Sequence, residues 1–160
     1  MNQKTLKDST ADAEVEGLVD TFGDRREVII GVLERQLNAL HLRGQVVIGF
    51  GAVVVTTTGF SGRLIAGTND LAQVAIIAGL LIVLAGCYWI FLKVMKVHWI
   101  ISRSLKGDWK QSLLTIIQCR DRKTRALHLG SYGVLVGLGV YALAIAIMLL
   151  NPEPLSVPIR

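Results

Sequence analysis

The chain has 160 residues, of which 52% are hydrophobic, and a mean hydropathy of +0.52. That balance is too apolar for an ordinary water-soluble domain and places the chain in a membrane. The formal net charge of +5 does not point to nucleic acid, because fifteen of the seventeen Lys and Arg are confined to residues 1–43 and 93–128.

Residues 1–23 are polar and carry neither an apolar run after their lysines nor a small-residue cleavage site, so no secretory signal is expected and the first hydrophobic segment should be retained. Ala11, Val15, Leu18, Val19 and Phe22 recur at nearly helical spacing, which predicts a short surface helix capped by Ser9 and Asp12 and ended by Gly23. Asp24 and Glu27 repeat the capping pattern at the start of a long helix, expected from Glu27 to Leu64. In its first half Ile30, Leu33, Leu37, Leu40, Gly44 and Val47 alternate steps of three and four, the pattern of a packed seam. Its second half, QVVIGFGAVVVTTTGFSG, has no charged residue, and the first span is expected over about residues 45–64.

SGRLIAGTND forms a tight turn with Thr68 or Asn69 as a cap, which makes the first two spans antiparallel neighbours. The second span, about 71–92, is again uncharged and at about 1.5 Å per residue covers a hydrocarbon core of roughly 30 Å. Tyr88, Trp89, Lys93 and Lys96 mark its inner interface. Asp108 and Gln111 open a cytoplasmic helix whose Trp109, Leu113, Ile116 and Ile117 face is the expected cover for the seam of the first helix. The charge run CRDRKTR then leads to a third span over about 129–150, and Pro152, Pro154 and Pro158 give a short extended tail over 151–160. The expected fold class is therefore an all-α integral membrane protein: a polar segment over 1–23, then three transmembrane helices with cytoplasmic helical extensions over 24–150, including an insert over 93–128. Only Arg63 and Arg160 lie on the opposite side, so the positive-inside rule puts the N-terminus in the cytoplasm and the C-terminus outside the inner membrane.

Helix packing is assigned to the small residues Gly49, Gly51, Gly79, Gly86, Gly133 and Gly137, the last two forming a GxxxG pair. Lys93, Lys96, Arg120, Arg122, Lys123 and Arg125 are expected at anionic lipid headgroups. No ionisable group stands within a span, as a proton or ion pathway would need, and the Thr56 to Thr58 run is expected to bond its own helix backbone rather than line a pore. His98 and His128 flank spans and have the chemistry to meet a pigment or haem, although an interfacial histidine in contact with water is the expected state and no cofactor is predicted. Cys87 and Cys119 are expected as free thiols, and no nucleophile motif marks an enzyme.

The stretches ERQLNALHLRGQVVIGFGA and RDRKTRALHLGSYGVLVGLG give the chain a layout that resembles the Pycsar-type small transmembrane effectors of bacterial cyclic-nucleotide antiphage systems. That resemblance implies a partner-triggered oligomer that perturbs the inner membrane. The residues themselves favour a different expectation: an accessory subunit or scaffold of a respiratory, photosynthetic or secretion assembly, whose partners are the bilayer and other membrane subunits or copies of itself.

Overall fold

The computed structural model describes residues 3–23, 25–65, 70–95 and 109–150, with nothing said below of the side chains of residues 3–10 and 62–65. The described chain is all-helical: α1 (Gln3–Phe22), α2 (Arg26–Ile65), α3 (Asp70–Ile90), a π-helical turn (Phe91–Met95) that continues α3, and α4 (Trp109–Leu150). The expected caps at Asp24, Thr68 or Asn69, and Asp108, and the proline-rich tail, lie outside the described residues. α1 begins at Gln3, so Ser9 stands inside the helix and does not cap it.

Gly23 ends α1 with φ +58°, a conformation open to glycine and costly for other residues, and its amide donates to Val19 O over 2.8 Å. α2 and α4 are 40 and 42 residues long. At 1.5 Å per residue each is about 60 Å, twice the thickness of a hydrocarbon core. α4 corrects one expectation. The insert helix and the third span are a single rod, and CRDRKTR runs through it without a break. That segment holds no Gly or Pro, and its long charged side chains have good helix propensity, so nothing in it stops the helix.

These lengths divide the protein into a polar layer (α1, the first half of α2 and the start of α4) and an apolar layer (the rest of α2, α3 and the rest of α4). The polar core joins Ala11 and Val15 of α1, Ile29 and Leu33 of α2, and Leu113, Ile116 and Ile117 of α4. Leu37 and Trp109 pack against its edge, and the Arg26 guanidinium stacks over the Trp109 ring at 5.2 Å. Ile29, fully buried in the core with Ala11 and Val15 of α1, takes the place expected for Ile30, while Leu33, Leu37 and Leu40 stand where the spacing puts them.

In the apolar layer the helices alternate in direction, and each bears two contact glycines seven residues apart. On α3 these are Gly79 and Gly86, on α4 Gly130 and Gly137, and on α2 Gly44 and Gly51. α3 and α4 touch backbone to backbone. A Cβ on Gly137 would stand 2.8 Å from Gly79 O, and one on Gly86 would stand 2.9 Å from Gly130 O. α2 approaches less closely, with Gly44 under Met95, Ile90 and Val94 and Gly51 against Cys87 and Val83. Small residues of this kind let helices associate by dispersion where lipid and protein are equally apolar.

Buried positions on α3 run 72, 76, 79, 83, 86 and 90, steps of four and three that would next bury Lys93. The π turn adds a residue at this point, so Val94 becomes the buried one and Lys93 stays exposed beside Trp89, its Nζ 5.5 Å from the ring centre.

Three helices are long and apolar enough to cross a membrane, and only 17–22% of their most apolar windows is buried inside the protein. The rest turns outward, as at Phe60 (87% exposed) and Leu143 (63%). Exposed apolar surface on that scale marks contact with a membrane or with other proteins.

Candidate functional site

The chemically richest part of the described chain is the boundary where the polar layer meets the apolar one. Arg120, on α4, reaches the Glu14 carboxylate of α1 with both terminal nitrogens, at 2.6 and 2.8 Å. It also donates to Gln36 Oε1 of α2 at 3.0 Å and to Asp121 Oδ1 at 2.8 Å. One guanidinium thus ties three helices through its planar fork. The Glu14 hydrogen bond, with help from Asp121 and against partial burial, holds Arg120 charged well above its ordinary range. A raised pKa stabilises fully below the unfolded value and is lost only as pH climbs through the folded one, so this tie stays intact at every ordinary pH.

One turn along α4, Lys123 is 8% exposed and occupies a seam position in line with Leu127, Gly130, Val134 and Gly137. Its Nζ lies 3.2 Å from His41 Nε2 on α2, and that nitrogen lies 3.1 Å from Val94 O on the π turn. An ammonium only donates, so with Lys123 charged Nε2 must be the bare nitrogen of the ring; with Nε2 protonated the bond passes to Val94 O. His41 therefore reads the three helices at their common point.

Arg120 and Lys123, expected at lipid headgroups, are engaged inside the protein, the first with Glu14, Gln36 and Asp121 and the second with His41. Arg122 and Arg125 are exposed on α4, as is Lys93 on the π turn. Lys96 and His98 lie outside the described residues. His128 is exposed on a groove between α2 and α4.

Among the glycines assigned to packing, Gly51, Gly79, Gly86 and Gly137 meet a neighbouring helix, while Gly49 is exposed and a Cβ there would meet nothing within 4 Å. Gly130, not Gly133, pairs with Gly86; a Cβ on Gly133 would come only to 3.7 Å from the Gly86 Cα. Sequence reasoning also missed Glu14 and Gln36; it sets His41 beside His98 and His128 as a histidine at the inner boundary with the chemistry of an axial ligand, but not in contact with Lys123 and Val94. The spacing of Lys123 from Leu127 and Gly130 was the available signal that a charge enters the seam.

Thr56, Thr57 and Thr58 donate to the carbonyls of Ala52, Val53 and Val54 at 2.7–3.0 Å. Thr58 Oγ1 also lies 3.0 Å from the Tyr141 hydroxyl, which gives that phenol a polar neighbour on α2. Cys87 and Cys119 are free thiols. Among the described residues no group of three or more His, Cys, Asp or Glu could hold a metal ion.

Comparison of the chain with protein-family models, with curated proteins and with solved structures finds no match.

Proposed function

We propose that this protein is a non-enzymatic integral membrane subunit that packs, through the outward face of its first span and through its basic helical layer, into a larger inner-membrane assembly. The carrying observation is the outward face of α2. Gly49, Ala52, Thr56 and Gly59 follow one another there at steps of three and four, all exposed, and Cβ atoms on Gly49 and Gly59 would meet nothing within 4 Å. The other glycine pairs of the apolar layer are already used in joining α2, α3 and α4. A further helix could approach α2 on this face as closely as α4 approaches α3.

The charge distribution supports a cytoplasmic polar layer, with the N-terminus inside and the C-terminus outside. α2 and α4 run unbroken from that layer into the apolar one, so a partner docked on either end meets the same two rods.

Extraction of the full chain in a mild detergent, followed by sizing and identification of the particle, tests the proposal. Co-migrating membrane proteins in fixed stoichiometry are expected. A lone monomer would overturn it. A homo-oligomer whose induced expression depolarises cells would replace it with the membrane-perturbing effector that the sequence layout resembles.

A further inference from the structure

We propose that the crevice between α2 and α4, at the boundary of the two layers, binds one anionic phospholipid, with its phosphate on Arg43 and an acyl chain laid between the helices. The inference rests on the membrane reading above. Two adjoining hollows meet at Arg43. The one toward the apolar layer has a volume of about 440 Å³ and is walled by Leu40, Val46, Val47 and Leu127, with Ser131 and His128 at its side. The one toward the polar layer, about 430 Å³, shares Leu40, Arg43 and Thr124 and continues to Gln36, Arg120 and Asp121. Each falls within the roughly 300–1,000 Å³ of ordinary ligand sites. Together they are greasy at one end and polar at the other, with a cation at the junction, which is the plan of a phospholipid.

The sign of the headgroup follows from the charges that face the crevice. On α4, Arg120 lies against two carboxylates, Asp121 and Glu14 of α1, so that group is net negative and the phosphate falls to Arg43. Arg43 on α2, by contrast, has no hydrogen bond or ion pair among the described residues, and the His128 ring stands across the crevice. Arg43, exposed beside Val46 and Val47 at the edge of the apolar layer, is open to a counter-ion. A phosphate bearing a net negative charge supplies one, whereas a zwitterionic headgroup brings its own cation and gains less.

The test is native mass spectrometry of the full chain in a mild detergent, titrated with dioleoyl phosphatidylglycerol or dioleoyl phosphatidylcholine. One retained phosphatidylglycerol is expected, with phosphatidylcholine held about tenfold more weakly, the scale of one charge-assisted contact. Arg43→Gln should erase that preference, Arg43→Lys should restore part of it, and Arg35→Ala, at an exposed position outside both hollows, should leave it unchanged. Ser131→Phe should weaken retention by filling the apolar hollow, and excess inorganic phosphate should not displace the lipid. Melting in the same detergent shows whether each variant is folded. Equal retention of the two lipids, an unaltered preference in folded Arg43→Gln, or displacement by phosphate would overturn the proposal. Alkaline carbonate washing of membranes separates the two readings: release of the wild-type chain defeats the membrane reading itself, whereas a retained chain without lipid preference defeats only the groove.

Discussion

The two layers of this protein are held together by opposite means. In the polar layer α1, α2 and α4 keep a side chain's distance and interlock Ile29, Leu33, Leu113 and Ile117 between them, with Arg120 drawing three helices together at the rim. In the apolar layer α3 and α4 come backbone to backbone at Gly79, Gly86, Gly130 and Gly137, with Val83, Ile90 and Val134 buried beside those contacts. On the membrane reading, solvent explains the contrast. Water drives large side chains inward, at roughly 25 cal/mol per Å² of apolar surface removed from it, while lipid offers no such gain and leaves only close packing. The same rod therefore follows two packing rules along its length, and substitutions should separate them.

The largest effect is expected from adding volume where the backbones touch. Gly137→Leu places its Cβ 2.8 Å from both the Gly79 carbonyl oxygen and Val83 N, neither of which can rotate away. A loss of about 3 kcal/mol or more is expected, read as failure to recover a cooperatively melting form in detergent. Gly133→Ala, whose Cβ meets only the Gly86 Cα at an ordinary 3.7 Å, should change stability by less than about 1 kcal/mol. The polar layer should fail in the reverse sense, by losing volume. Leu113→Ala empties a fully buried site between α1, α2 and α4 and should cost about 3 kcal/mol in the same melt.

A smaller effect is expected at the rim. Arg120→Met keeps the stem but leaves the Glu14 carboxylate and Gln36 without their donor, a loss of about 1–2 kcal/mol. It should show as faster tryptic cleavage at Arg25 and Arg26, between α1 and α2, with α3 and α4 unaffected. Because the guanidinium is held charged beyond its ordinary range, the difference between wild type and variant should not change from about pH 7 to about pH 10. A difference that vanished over that interval would mean that another group carries the tie.

The contrast between layers also explains what could be read from the sequence. Uncharged runs over 45–62, 71–92 and 129–150 mark three helices long and apolar enough to cross a membrane, because length and hydropathy are local properties. Leu33, Leu37 and Leu40 are legible as a seam because steps of three and four depend only on helix geometry. Pairing is another matter. Gly130, Gly133, Gly137 and Gly139 all stand within ten residues, and the choice of Gly130 and Gly137 is made by Gly79 and Gly86 on another helix, at the same spacing of seven. Ile29, not Ile30, joins Ala11 and Val15 of α1 in the core, a contact between helices that spacing along one of them does not show. The π turn left no trace in hydropathy; its mark is a lysine, Lys93, at the position where an unbroken α-helix would bury one. Lys123 and Arg120 look in sequence like the solvated charges around them, and only the neighbouring helices distinguish them.

The smallest expected effect on the isolated chain tests the uncovered face of α2. Gly49 is exposed, lies in the middle of a long helix, and has room for a methyl group with nothing within 4 Å. Alanine is the better helix former by up to about 1 kcal/mol, so Gly49→Ala should leave the purified chain's melting unchanged or slightly raised. If a partner helix lies against this face as closely as α4 lies against α3, the same methyl group meets that partner's backbone, and the particle extracted from membranes should lose it. A variant that is at least as stable alone and yet fails to assemble places the contact at Gly49, because no loss of the chain's own packing accompanies the change. Retention of the full particle would instead turn this face toward lipid and move the partner contact to the basic layer.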